Sequence, residues 1–276
     1  MNNLPISVLT IAKSRNEALR NLVLGLEMSE RYPAELIIVN MNEPASELIS
    51  ENFQVRSFRF DAEEKLPLAA ARNFATVQAT FPVMIFLDVD CIPSSNLTGK
   101  YFDACQESDH LWIGPVRYLT KGATLGHDFL HKMREMSSPD PVRGDLRDVN
   151  YALFWSLNFA CSKKIYDHIG GFDTRFTGYG AEDTDFGFSA RKKSVPLSVV
   201  DAVAYHQYHA SYDPPLNHFR DILANARTFF DKWKTWPMEG WLRKFEIAGL
   251  IELENDEVRI LREPEEMEII AAMKSQ

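Results

Sequence analysis

The chain has 276 residues, enough for one large domain or two small ones, and its 45% hydrophobic and 25% charged residues exclude a wholly disordered or fibrous chain. With 30 Lys and Arg against 39 Asp and Glu, the formal charge is −9 and there is no basic block, which speaks against general binding of nucleic acid or of an anionic membrane. An anionic small ligand stays open, because a bound cation inverts the local field.

Ile6 to Ile11 is an apolar run rich in branched residues and predicts a buried strand. Ala18 to Met28 follows with Leu19, Leu22, Val23 and Leu26 at helical spacing. Leu36 to Val39 predicts a second strand, and Phe53, Val55, Phe58 and Phe60 a third. Ala69 to Ala79 reads as an alanine-rich helix, and Val83 to Leu87 as another buried strand. Strands alternating with helices predict βαβ units and a mostly parallel sheet covered on both faces. Ligands of such sheets sit beyond the carboxyl ends of strands, which directs attention to Ala12 to Asn16, Asn40 to Asn42 and Asp88 to Asp90.

The second half is less regular. Thr124 to Met136 reads as helical, and Ser137 to Asn150, with two prolines and a glycine among charges, as a long loop of the lid or binding kind. Leu157 to Cys161 predicts a strand, Gly170 to Gly180 a turn region, Ala181 to Lys193 a helix and Val199 to Val203 a short strand. Asn217 to Lys234 and Trp241 to Gly249 read as helices, Glu252 to Arg262 as a hairpin around Asn255-Asp256, and the rest as an acidic helix. Trp233, Trp236 and Trp241 gather in this last part, where packing against the remainder is expected. Cys91, Cys105 and Cys161 are few, odd in number and widely spaced, so neither a disulfide framework nor a four-cysteine zinc site is expected. The N-terminus lacks a basic segment followed by a long apolar one, and no run approaches the roughly 18–20 apolar residues of a spanning helix. A cytoplasmic place without a transmembrane segment is expected, with peripheral attachment to a membrane as the variant.

Three segments can carry chemistry. Asp88-Val89-Asp90 ends a buried strand, where residues i and i+2 point the same way. Two such carboxylates suit a hard divalent cation that also holds phosphate oxygens, or they form a solvated acidic turn. Gly170 to Phe186 interleaves glycines with aromatics and then places Glu182, Asp183 and Asp185 on the first turn of a helix. Stabilisation of the helix N-terminus, about 0.3–1 kcal/mol per acid, explains the acids but not the glycines and aromatics before them. His206 and His209 follow the last predicted strand and are either metal ligands or ordinary packing histidines.

In this combination and order the chain resembles the inverting glycosyltransferases of the GT-A fold, in the broad family 2 group, over roughly residues 5–210. The matching pieces are Lys13-Ser14-Arg15-Asn16 after the opening strand, Ala69-Ala70-Ala71-Arg72-Asn73, and Leu87-Asp88-Val89-Asp90. The Gly170 to Asp185 segment looks like the Gly-Gly-Phe-Asp … Gly-Trp-Gly-x-Glu-Asp motif of galactosyl- and N-acetylgalactosaminyltransferases. The resemblance implies a mostly parallel α/β sheet sandwiched by helices over residues 1–210. Its nucleotide-sugar half would be about 1–100 and its acceptor half about 101–210, with a helical extension over 211–276. It implies a nucleotide-diphosphate sugar donor, most simply a UDP-sugar, a Mn²⁺ or Mg²⁺ ion, and a saccharide or other hydroxyl acceptor. Asp90 would hold the ion with His209 or His206, and Asp88 the ribose or the ion. Asp183 would be the general base and Glu182 would hold an acceptor or donor hydroxyl. Arg15 and Arg72 would touch donor phosphates or serve structure. Asn40 stands where the family commonly has an acid at the nucleobase or ribose. Tyr179 replaces the usual Trp as a sugar platform beside Gly180, with Trp155, Phe154 and Tyr151 as further candidates and the core as the expected place of Phe154. A helix N-terminus lowers the Asp183 pKa while Glu182 and Asp185 raise it, and the residues alone leave that balance open.

Other readings fit single segments. His127-Asp128-Phe129-Leu130-His131 resembles a zinc-protease H-E-x-x-H with Asp for Glu, which would make a zinc-dependent hydrolase. Asp88-Val89-Asp90 also resembles the start of an aspartyl-phosphate phosphatase. A nucleotide-sugar binding module without catalysis is the non-enzyme alternative, and an oligomer is open.

Overall fold

The computed structural model describes residues 3–63, 65–144, 150–254 and 256–274. The chain opens with β1 (Leu4–Ala12), α1 (Asn16–Glu27), β2 (Pro33–Met41), β3 (Gln54–Phe60), α2 (Leu68–Gln78) and β4 (Val83–Leu87). Next come β5 (Cys91–Pro93), α3 (Leu97–Glu107), β6 (Leu111–Ile113), β7 (Val116–Leu119), a short α4 (Phe129–Lys132) and β8 (Ser137–Pro139). They are followed by β9 (Asn158–Ser162), α5 (Lys163–Ile169), α6 (Glu182–Lys192), β10 (Leu197–Val199), β11 (Ala204–His206) and β12 (Ser211–Tyr212). The last part holds α7 (Phe219–Trp233), α8 (Glu239–Ile247), β13 (Ile251–Glu254), β14 (Glu257–Ile260), α9 (Glu266–Ala271) and β15 (Met273–Lys274).

The main sheet has the order β10-β6-β9-β4-β1-β2-β3. β1 runs parallel to β2 and β4, β2 to β3, and β6 to β10, while β9 is antiparallel to both its neighbours. This is the mostly parallel α/β sheet that the alternation of elements predicts. β1, β2 and β4 are buried on both faces, which is why they read as unbroken apolar runs. Alternate residues serve opposite cores. Leu9, Ile11, Ile37, Val39 and Phe86 pack with α2, α5 and α6, and Ile6, Val8, Leu36, Ile38 and Ile85 with α1 and α3. α1 buries Leu19, Leu22, Val23 and Leu26 on one stripe, and each such leucine contributes about 1.5–3 kcal/mol by leaving water.

A second sheet of order β5-β11-β7-β8 is what positions the site. β5 begins directly after Asp90, and β11 pairs with it antiparallel so that His206 lies opposite Cys91. Its apolar side packs Ile92, Leu119, Phe129, Met133 and Tyr205 together.

Several expectations need correction. Thr124 to Met136 is helical only over Phe129–Lys132; its apolar spacing serves the small core of the second sheet through turns. Ser137–Pro139 is a strand paired with β7, not loop, and a bridge joins Asp140 to Gly144. Residues 145–149 of the expected loop lie outside the described residues, as does Asn255 of the hairpin turn. Of the strand expected at Val199 to Val203 only Val199 is in one: the run is the link that leaves the main sheet after β10 and enters the second sheet at β11. The C-terminal part holds the expected hairpin, β13 paired with β14, and beside its helices also a pair that was not expected, β12 with β15. It has its own core of Phe219, Ile222, Leu242, Phe245 and Leu250, and Phe229 and Trp233 pack on Phe188 of α6, as the tryptophan-rich composition led one to expect for Trp233. Among the described residues no helix is long and apolar enough to cross a membrane.

Candidate active site

Asp88 and Asp90 follow β4 at the carboxyl end of the sheet. The Asp90 amide donates to Asp88 Oδ1 at 3.2 Å, and the Asp88 amide donates to the Leu157 carbonyl at 2.9 Å. Asp90 is almost fully buried, yet its cationic neighbours are distant: Arg15 Nε is 3.5 Å and His209 Nε2 3.7 Å from Oδ2. Burial, and then the Asp88 charge, push the Asp90 carboxyl up to about 6. One oxygen of Asp90 and one ring nitrogen each of His206 and His209 lie within 4.8 Å of one another. Burial drives His206 down to about 4, so its ring is neutral and keeps a lone pair for a ligand. A carboxylate with loose counter-charges beside two imidazoles is a donor set that fits a divalent cation, and both histidines belong to it.

The histidines are held by a residue that the sequence did not single out. Gln207 donates its amide to the Asp90 carbonyl (2.7 Å) and its Nε2 to Ala18 O (2.9 Å), and it accepts from Asn21 Nδ2 (2.8 Å). Both α1 contacts span more than 180 residues, so no local pattern announces them.

The second acidic group opens α6. The glycine loop before it uses left-handed backbone at Gly178 (φ +74°) and Gly180 (φ +97°), and Ala181 adopts φ +69° without being glycine. Strain of this kind persists only where the surroundings impose it, and it gathers at functional sites. Glu182 is buried and accepts from Arg72 Nη1 at 3.0 Å, while the Arg72 guanidinium lies 5.1 Å from the Phe172 ring centre. Arg72 therefore orients Glu182. Its neighbour Asn73 clamps the same loop, donating to the Phe172 carbonyl (2.8 Å) and accepting from the Phe172 amide (2.9 Å).

Asp183 is half-buried, and the Thr184 amide donates to its Oδ1 at 2.7 Å. Burial first, and Glu182 second, push its carboxyl up to about 7, with Arg72 and the Ser156 amide opposing. Asp185 was expected to share in raising it. It is instead spent on α7: Lys232 Nζ lies 2.8 Å from its Oδ1 and Trp233 Nε1 donates at 2.7 Å. Lys232 also binds Asp173 of the Gly-Gly-Phe-Asp segment at 3.0 Å.

The two centres are neighbours. The Ser156 amide meets Asp183 and the Leu157 carbonyl meets Asp88, so consecutive residues touch both. A small cleft at the strand ends is lined by Thr10, Arg72, Asp88 and Ser156, and the buried Thr10 hydroxyl has no partner among the described residues. Tyr179 is partly exposed, and its phenol is raised by burial and by Glu182, Asp183 and Asp88, so it stands between the centres. Trp155 carries the Arg143 guanidinium 4.6 Å from its ring centre, and Arg143 is tied to Asp140 at 2.8 Å. Phe154 is fully buried in the core, and Tyr151 donates its hydroxyl to the Val195 carbonyl. The Asn40 amide donates to Ser57 and Phe58 and accepts from Ser46, which staples the β2 end to β3. His127 precedes α4 and is exposed, and Asp128 pairs with Lys132, so the pattern of a zinc protease is not built.

A family model described as glycosyltransferase-like family 2 matches residues 26–227. The chain is 22% identical over 239 residues to a chondroitin synthase of Pasteurella multocida, covering 74% of this chain and 25% of that protein. It is 23% identical over 236 residues to validoxylamine A glucosyltransferase of Streptomyces hygroscopicus subsp. limoneus, covering 72% and 50%. The chain thus spans about a quarter to a half of these relatives' lengths. Two solved structures share the fold. GalNAc-T7 with UDP, GalNAc and Mn²⁺ aligns with TM-score 0.54 and 15% identity over 90% of this chain and 58% of that one. Staphylococcus aureus TarS 1–349 with UDP-GlcNAc aligns with TM-score 0.54 and 14% identity over 82% and 67%.

Proposed function

The chain belongs to the glycosyltransferase-like family 2 and has the GT-A fold, and from that premise we propose that it transfers a sugar from a UDP-sugar to an acceptor hydroxyl with inversion. The cluster of Asp90, His206 and His209 within 4.8 Å carries this reading, since it supplies a seat for the cation that a diphosphate donor brings to such a site. Mn²⁺ or Mg²⁺ held there would offset the charge of the departing diphosphate. The relatives named for chondroitin synthesis and glucosyl transfer support a saccharide chemistry, and the two neighbours solved with UDP or a UDP-sugar support the donor.

Asp183 is the base. The acceptor oxygen gives its proton to the Asp183 carboxylate as it attacks the anomeric carbon from the face opposite the diphosphate, so the configuration inverts. A base works best with a pKa near the operating pH, and burial with Glu182 moves Asp183 to about 7. Arg72 holds Glu182 toward the acceptor or donor hydroxyls, and Asp88 lies beside the ribose or the ion. Arg15, 40% exposed at its side chain next to Asp90, is free to turn to a donor phosphate. Tyr179 and Trp155 border the sugar, with Gly180 supplying the left-handed turn between Tyr179 and the acids.

A thermal-shift series with UDP-glucose, UDP-GlcNAc, UDP-GalNAc and UDP-glucuronate tests this. A donor at about 100 times its dissociation constant with Mn²⁺ stabilises the fold by about 2.7 kcal/mol. The reading fails if no donor shifts the midpoint, or if the shift is the same in EDTA.

A further inference from the structure

The loop that ends on the catalytic carboxylates is fixed from outside by the C-terminal part. Asn225 on α7 is buried and donates Nδ2 to the Thr177 carbonyl (3.0 Å) and the Tyr179 carbonyl (3.2 Å). Gly178 packs against Asp221 of α7, where any side chain would strike the carboxylate, and Asp221 pairs with Lys65 at 2.8 Å. A Cβ on Gly180 would come 2.8 Å from Met238 Sδ. Met238, which caps α8, is itself left-handed at φ +50°, so non-glycine residues under backbone strain stand at both contact surfaces.

What this clamp holds in place is a row of rings. Tyr179 stacks on His218, at the start of α7, with centroids 4.4 Å apart and planes 16° apart. It stacks on Trp241 of α8 at 5.9 Å and 26°. All three rings are at least partly exposed. Tyr179 is the ring common to both stacks and lies three residues before Glu182, so the row joins the acidic turn of α6 to the C-terminal part. None of the three rings hydrogen-bonds through a polar atom to the protein in a way that would explain their alignment. A pyranose has an apolar C–H face and a polar rim, and near-parallel aromatic faces suit that face while leaving the rim to water.

We propose that Tyr179, His218 and Trp241 form an acceptor subsite for an oligosaccharide, in which the sugar behind the attacking residue lies on the His218 and Trp241 rings. It rests on the reading of the chain as a sugar transferase. The C-terminal part thereby selects a chain of at least two sugars over a monosaccharide, and specificity lies outside the segment that carries the catalytic acids.

The test is binding of the intact protein, with UDP and Mn²⁺, to an array of neutral and acidic mono-, di- and hexasaccharides. At least one di- or hexasaccharide binds more tightly than its own monosaccharide. Trp241→Leu keeps apolar bulk but no ring and weakens that binding by about tenfold, or 1.4 kcal/mol, while Trp241→Phe stays within about threefold. His218→Ala, on a different helix, repeats the loss if Trp241→Leu lowers the thermal midpoint. The proposal is overturned if no saccharide binds, if length gives no gain, or if the Leu and Phe variants bind alike. The donor series on the wild type keeps the two failures apart: a Mn²⁺-dependent donor shift with no ring-dependent saccharide binding removes the subsite and leaves the transferase reading, whereas loss of the donor shift removes the reading itself.

Discussion

Asp90 and Asp185 are both nearly fully buried, 7% and 1% exposed, and one lies in each acidic centre. Their surroundings differ in how tightly charge is met. Asp185 has Lys232 at 2.8 Å and Trp233 at 2.7 Å, on a helix packed against its own. Asp90 has an arginine at 3.5 Å and a histidine at 3.7 Å, and a second carboxylate two residues away. A buried ion costs several kcal/mol unless it is paired with good geometry. Asp185 is met in this way, although burial still outweighs its partners and leaves its carboxyl raised. At Asp90 the compensation is incomplete within the protein, which is the condition a cation relieves. Asp183 is a third case: burial and then Glu182 raise it, and Arg72 and the Thr184 and Ser156 amides restrain it without overcoming them. What distinguishes these acids from one another is the closeness of their partners, since all are of one kind.

The largest effect that sharpens the comparison is expected in Asp183→Asn. Asn keeps the volume but takes no proton, so the transfer rate falls about 10²–10⁴-fold, roughly 3–5 kcal/mol of barrier. Donor affinity stays within a few-fold, measured by titration with Mn²⁺. Transfer within about tenfold of wild type would remove Asp183 as the base.

Lys232→Met attacks the tightly paired centre. It strands the Asp185 carboxylate, and since Lys232 is 24% exposed at its side chain the loss lies at the lower end of the range for broken buried pairs, about 3 kcal/mol in urea unfolding. Adding Asp185→Asn removes the stranded charge and recovers most of that loss. A double variant no more stable than the single one would show that charge is not the reason.

Asp90→Ala attacks the loosely paired centre and has the opposite signature. Donor affinity in Mn²⁺ falls about 100-fold, while stability without donor changes little or rises, because an uncompensated burial is removed. An Asp90→Ala protein that is strongly destabilised and still binds donor would reverse the contrast drawn with Asp185.

The smallest effect is in pH dependence. The Asp183 carboxyl is raised from 3.8 to about 7 in the folded chain, so the fold binds a proton that the unfolded chain has released. The associated stability is full below pH 4 and is lost as pH rises toward 7. Asp183→Asn loses this dependence, seen as a flatter thermal midpoint against pH. In the wild type, transfer rises up to about pH 7 as the base ionises; a profile already flat at pH 5 would contradict the raised carboxyl.

How much of this was legible in the sequence follows from the range of each interaction. β1, β2 and β4 are buried on both faces and advertise themselves as apolar runs, and Asp88, Asp90 and Glu182 to Asp185 stand where such runs and glycine loops end. α3 escaped because its buried face mixes Thr98 and Gly99 with Leu97, Tyr101 and Ala104, and α5, β6 and β7 because they are seven, three and four residues long. Such short elements have no period to detect. The Arg72–Glu182 and Lys232–Asp185 pairs gave no sequence signal because their partners are 110 and 47 residues apart. Gln207 and the His218–Tyr179–Trp241 stack gave no local signal for the same reason.

The pairing of α7 with Asp185 has a consequence for the order of synthesis. A ribosome adding about 5–20 residues per second takes roughly 2–9 s to go from Asp185 to Lys232. During that interval the acidic turn of α6 exists without its counter-charge, and Thr177 to Tyr179 lack the Asn225 that fixes them. The nascent chain therefore carries its complete parallel sheet and both aspartates of the strand-end centre before the acidic turn of α6 is fixed from α7, so the second acidic centre is completed as a late event of translation.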